Sequence, residues 1–254
     1  MRANGTVIAY HAVGSCPKPA DPENLFMPVE RFEEQMAFLA DSYEVVPLEE
    51  IVRGSAGRRS VAITFDDGFR SVLSSAAPIL RRYRFTATVF VPSRWIGGRS
   101  TTWYDAPGCE TELMTCDELR ATEEEGIEVG SHGSAHLDFG RLSRAEAEAD
   151  LDASIAELTT VLGRRPRYFA YPYGRYSAEA KRAAADRFDA AFTIDLPHDG
   201  PFAHERVGIT RLDGKLVFAV KASGRYIALR RSRLGATAYA LVRPIVSRAR
   251  RARA

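Results

Sequence analysis

Between Val61 and Gly68 the chain reads Val-Ala-Ile-Thr-Phe-Asp-Asp-Gly. A short β-branched and apolar run stops at two adjacent carboxylates and a glycine. Runs of this length read as buried strands, and reactive groups gather where such a strand opens into a loop. The theme recurs along the chain. Strands are expected at Thr6–Tyr10, Tyr43–Val46, Val61–Phe65, Thr86–Val91, Ile127–Gly130, Tyr168–Tyr171 and Ala190–Ile194. Helical spacing fills the intervals. Val29–Asp41 carries Phe32, Met36 and Leu39, and Ser71–Tyr83 and Thr115–Glu125 are similar. Ser143–Leu162 places Leu151, Ile155, Leu158 and Leu162 on one face, with Ser143 and Glu146 spaced as a capping box. Alternating β and α units favour a parallel sheet or barrel. Periodicity alone does not separate a closed barrel from an open, doubly wound sheet.

Two neighbouring acids at a strand end can divide labour. One can hold a metal while the other takes a proton from the metal's water. Asp-Asp-Gly is also ordinary turn chemistry. Further along, Ser131-His132-Gly133-Ser134-Ala135-His136 places two histidines four residues apart, a spacing that can bind one cation. Imidazole with carboxylate suits zinc, iron, cobalt or nickel better than calcium.

Thr64–Phe69 (TFDDGF), Ser131–His136 (SHGSAH) and Phe169–Gly174 (FAYPYG) follow one another in that order. With Tyr10-His11-Ala12-Val13, Pro78-Ile79-Leu80 and Ala87–Pro92, they give a chain that resembles the polysaccharide deacetylases, the NodB-homology carbohydrate esterases, from about Val7 to about Leu212. The resemblance implies a distorted (β/α) barrel with fewer than eight regular strands. It also implies a metal-dependent hydrolase that removes N-acetyl, sometimes O-acetyl, groups from a glycan or glycan precursor. The family pattern puts one divalent ion on Asp67, His132 and His136, zinc first, with cobalt, nickel, iron or manganese as alternatives. Asp66 matches the catalytic base. Tyr171, Pro172 and Tyr173 fall where substrate is bound, with the Tyr173 N–H facing the oxyanion. The third motif departs from the usual pattern, reading Ala170 where an arginine is common, and no late acid motif follows. His198 and His204 lack its context. In a branch resembling the poly-N-acetylglucosamine deacetylases, an early histidine supplies the acid, which singles out His11. Arg206 is a candidate for the missing positive group near Asp66.

A chain of 254 residues, 45% hydrophobic, can form one barrel-sized domain. Cys16, Cys109 and Cys116 form no CxxC pair; Cys109 and Cys116 are near enough in sequence to join, but reduced thiols are the default expectation. Gly97–Gly108 reads as a loop, and Trp95, Trp103 and Tyr104 offer surfaces for stacking on sugar rings or for packing. Residues 1–214 are expected to form the catalytic domain and 215–254 a basic C-terminal extension, helical or disordered. That extension carries eleven Lys or Arg and no acid, leaving the remainder near −9 against a whole-chain +2. Tyr239, Leu241, Val242, Ile245 and Val246 lie among its arginines, a pattern for an anionic membrane surface or for a solvated tail. Nucleic acid is not expected, because no recognition motif accompanies the charge. With no apolar leader or spanning segment seen, the expected place is the cytoplasm, peripheral at the inner face of the membrane. Two alternatives remain at this point: an amidase acting on a small non-glycan amide, and a non-catalytic glycan-binding homologue.

Overall fold

The computed structural model of the protein describes residues 5–17 and 20–226, with Leu229 and Ser232. Its centre is a curled, all-parallel sheet. The strands are β1 (Thr6–Tyr10), β4 (Glu44–Val45), β5 (Ser60–Phe65), β6 (Ala87–Val91), β7 (Ile127–Ser131), β8 (Tyr168–Ala170), β9 (Ala190–Phe192) and β10 (Val207–Gly208). Their order is β10-β1-β5-β6-β7-β8-β9, with β4 pairing the start of β5. A second, two-residue pairing joins β2 (Ala12–Val13) and β3 (Phe26–Met27).

The curl brings the first and last strands together. His204 bridges Phe192 of β9, and three residues later Val207 pairs with Ile8 of β1. Segment 204–208 thus closes the wall, giving the distorted barrel expected from the resemblance. Alternation along each strand fills both of its faces. Ile8, Tyr10, Val61, Ile63, Phe65, Val89 and Val91 pack outward with the helices. Val7, Ala62, Phe90, Tyr168, Ala170 and Phe192 form a second cluster. Helix α2 (Leu48–Arg53) contributes Leu48 and Ile51 to that cluster, next to the strand starts.

The outer layer holds α1 (Val29–Ser42), α3 (Ala77–Tyr83), α4 (Cys116–Glu124), α5 (Arg144–Leu162), α6 (Ala178–Ala185) and α7 (Lys215–Ala222). The capping box expected at Ser143 forms, and a second one forms at Thr115 with Glu118. The helix expected over Ser71–Tyr83 is divided. Val72–Ala76 is a wide π turn, and α3 begins only at Ala77, with Pro78 in its first turn. Proline has no N–H to continue the ladder, so the preceding turn is wider.

One expectation changes. Cys16 and Cys109 are joined by a disulfide, and Cys116 is the free, exposed thiol. The partners are 93 residues apart in sequence but 4.9 Å apart at Cα, a separation that spacing arithmetic does not reveal. Helix α7, which begins just after residue 214, packs on the sheet and its helices. Phe218 and Ala222 of α7 join the main core, and Lys221 donates to Gly208 O (2.7 Å) and Asp213 Oδ2 (2.6 Å). Burying Phe218 alone contributes roughly 1.5–3 kcal/mol. The rest of the basic extension, including the apolar positions from Tyr239 onward, lies outside the described residues. Among the described residues, no helix is long and apolar enough to cross a membrane.

Candidate active site

Every residue singled out by the motifs lies at or just beyond the C-terminal end of a strand. His11 follows β1, Asp66 and Asp67 follow β5, His132 follows β7, and Tyr171–Tyr173 follow β8. In parallel α/β architectures this is the edge where loops converge on ligands.

Asp67, His132 and His136 are all buried, and one ligating atom from each lies within 4.8 Å of the others. Asp67 Oδ1 is 3.0 Å from His136 Nε2 and 3.5 Å from His132 Nε2. The His132 ring is oriented from behind, with Nδ1 donating to Ala170 O at 2.7 Å, which leaves the Nε2 lone pair facing Asp67. Burial pushes the His132 pKa down to about 4, so at neutral pH no proton competes for that lone pair. Burial alone would raise the Asp67 carboxyl; hydrogen bonding to His136, and the charges of His136, His11 and His132, hold it well below the ordinary range. Two buried imidazoles and one ionised carboxylate, with one ligating atom from each converging, fit a divalent ion such as zinc. Asp67 and His136 both take left-handed backbone angles, with φ of 69° and 58°. Outside glycine such angles are uncommon and need support from their surroundings.

Asp66, beside the triad, has a different partner. Arg206 grips it with two parallel bonds, Nη1 to Oδ1 at 2.6 Å and Nη2 to Oδ2 at 2.8 Å. The guanidinium is completely buried. It also donates to Thr193 O and Thr64 Oγ1, and lies 5.1 Å above the Phe90 ring. Desolvation would raise the Asp66 pKa, but the Arg206 charge, helped by His132, an Arg206 hydrogen bond and His11, brings it below the ordinary value. The arginine missing at Ala170 is thus matched by one arriving from the segment that closes the barrel. Ala170 contributes only its carbonyl to this region, behind His132.

His11 lies close enough for its charge to act on both Asp66 and Asp67. Its Nδ1 is buried without a hydrogen-bond partner, as are His136 Nδ1 and the indole nitrogens of Trp95 and Trp103. Trp103 stacks flat on His136, with centroids 4.4 Å apart and planes inclined by 17°, and Trp95 meets Trp103 edge-on. The loop holding these rings is pinned by the disulfide and by Tyr104, whose hydroxyl donates to Asp21. Neither His198 nor His204 joins the triad; they pair with each other, and His204 stacks on Phe192.

The third motif does not present all its side chains to this site. Tyr173 is 45% exposed, packs edge-on against His136 and has φ of 59°. Pro172 is buried. Tyr171 is fully buried among Phe139, Phe169 and Tyr176, and its hydroxyl donates to Phe202 O. The expectation that the Tyr171 side chain binds substrate is therefore corrected, because its ring faces the helical layer. Sequence reading also passed over Asp150, Ser154 and Glu157 of α5. The sequence offers no signal for them, since a polar residue on a helix reads as a solvent position until its partners are known.

Known proteins resemble this chain in family and in fold. The family described as Polysaccharide deacetylase matches residues 53–188. A poly-beta-1,6-N-acetyl-D-glucosamine N-deacetylase of Staphylococcus epidermidis is 28% identical over 156 residues, covering 57% of this chain and 53% of that protein. The chain spans between 34% and 60% of the length of the first curated relatives it matches. Among solved structures, the Streptococcus pyogenes deacetylase PplD superposes with a TM-score of 0.71 at 22% identity, over 85% of this chain and 97% of that one. IcaB from Ammonifex degensii superposes with a TM-score of 0.70 at 22% identity, over 87% and 97%.

Proposed function

Because this chain belongs to the polysaccharide deacetylase family, we propose that it is a metal-dependent hydrolase that removes N-acetyl groups from a glycan or glycan precursor. The observation that carries the reading is the pairing of two differently supported carboxylates. Asp67 faces two imidazole nitrogens, and the adjacent Asp66 is held ionised by Arg206.

In this reading Asp67, His132 and His136 hold one divalent ion. When bound, such an ion polarises the acetyl carbonyl and makes water easier to deprotonate. Asp66 takes the proton from the attacking water, and Arg206 keeps its carboxylate charged and correctly turned. The Tyr173 N–H donates to the developing oxyanion. His11, close enough for its charge to act on both carboxylates, protonates the departing amine. Trp103 stiffens His136 by stacking on its ring and gives a sugar ring an apolar wall. The catalytic unit runs from β1 to α7, and the remaining basic residues form an extension to it.

The test is acetate release from a panel of N-acetylated glycans and lipid- or nucleotide-linked sugars, after loading with zinc or cobalt. Release is expected from at least one glycan and should vanish in Asp67→Ala and His132→Ala, which also lose stoichiometric metal binding. Asp66→Asn should bind metal like the parent while its turnover falls on the order of 10²–10⁴-fold. Release from small non-glycan amides alone would move the assignment to an amidase. Full metal affinity in both ligand variants would remove the triad.

A further inference from the structure

The face of α5 that meets the histidine loop is polar where a core-facing helix is ordinarily apolar. Asp150 and Ser154 are buried, and Glu157 follows one turn on. All three reach the same short segment. Asp150 Oδ2 accepts from Ser134 N at 2.8 Å, and Oδ1 accepts from Ala135 N at 2.9 Å. Ser154 Oγ and Ser131 Oγ are 2.7 Å apart, and Ser131 Oγ in turn accepts from Gly133 N. Glu157 Oε2 accepts from Ser134 Oγ and from Ser93 Oγ at the end of β6. Three consecutive backbone N–H groups, those of residues 133, 134 and 135, are therefore bound by side-chain oxygens rather than by secondary structure. These are the residues that separate the two histidines.

We propose that Asp150 is a positioning residue for the metal centre, its two carboxylate oxygens setting the backbone path that carries His136 into line with His132 and Asp67. The proposal rests on the metal reading of the triad. A loop of five residues must return the second imidazole beside the first, and it does so with Gly133 at φ of 75° and His136 at 58°. Such angles cost free energy outside glycine, so something must hold them. A two-point bond from a buried carboxylate to adjacent N–H groups is a strong and directional way to do it. The fit is close: a Cβ at Gly133 would sit 2.6 Å from Asp150 Oδ2. Because Asp150 touches no ligand atom, its effect acts through geometry. Partners one step removed from metal ligands typically change metal affinity about 10–100-fold when altered.

Asp150→Asn keeps the size of the side chain but turns an NH2 group toward one of the two N–H donors. Cobalt(II) titration of the folded variant, followed by its visible absorption spectrum, is expected to show about 10–100-fold weaker binding and an altered band pattern. Leu151→Ala removes core packing from the neighbouring position of the same helix. It should lower the melting temperature at least as far while leaving cobalt affinity within about two-fold of the parent, since it leaves the loop's bonds intact. Asp150→Glu, which retains both acceptors, should recover part of the lost affinity and carries the same comparison if the asparagine variant does not accumulate. Parent-like affinity and spectrum in the Asp150 variants overturn the proposal. So does an equal loss of affinity in Leu151→Ala, which would make the effect one of stability alone. His136→Ala separates the two levels: if it binds cobalt like the parent, the triad itself is wrong, whatever Asp150 does.

Discussion

Asp66 and Asp67 are neighbours in sequence with opposite surroundings, and this difference is testable residue by residue. Without Arg206, burial acts on Asp66 against only the charges of His132 and His11, and its carboxyl titrates higher. In Arg206→Gln the acid limb of kcat/KM against pH is therefore expected to move to higher pH, because the base form is lost sooner as pH falls. Arg206→Lys keeps a charge but not the two-point grip, and should move the limb less. A limb unchanged in both variants would assign it to another group. His11 gives a second test. If it protonates the leaving amine, His11→Ala should depress hydrolysis of N-acetyl substrates much more than that of an acetyl ester with a good leaving group, at unchanged metal content. Equal losses on both substrates would leave His11 with a structural role. The metal-type residues were legible because carboxylate and imidazole spacing is local. The Arg206 partnership was only a guess from sequence, since it spans 140 residues, and the burial of Tyr171 was not foreseen because its motif does not say which way a ring turns.

Among elements, the long helix α5 shows best what periodicity reveals and what it hides. Its leucine stripe and its cap were readable, and the cap gives a prediction of its own. Ser143 Oγ accepts from Glu146 N while the Glu146 carboxylate accepts from Ser143 N. Ser143→Ala should cost roughly 0.5–2 kcal/mol, read as a lower denaturant midpoint, with cobalt affinity unchanged. If cobalt affinity falls in proportion to stability, the cap and the histidine loop are mechanically linked. The polar face of α5 was hidden because a buried Asp or Ser looks like a solvent position until its partners are known. Short elements were hidden for another reason. Helix α2, the β2–β3 pair and β10 have two to six residues each, too few for a period to register.

On the scale of the whole molecule, the Cys16–Cys109 bridge ties the segment after β2 to the loop carrying Trp103. Removing it with Cys16→Ser, or reducing it, is expected to cost on the order of 2–4 kcal/mol of unfolding free energy. Urea unfolding with and without reductant measures this directly. An identical midpoint in both conditions would mean that the bridge constrains nothing that unfolds. The barrel's closure has a different consequence, one that concerns time. A ribosome delivers Asp67, His132 and His136 in the first 136 residues, but Arg206 arrives seventy residues later, on the segment that seals β9 to β1. A partly made chain thus holds all three triad residues while Asp66 still lacks its counter-charge. In the proposed function, metal capture and proton transfer would be installed in that order, and the second would wait for the wall to shut.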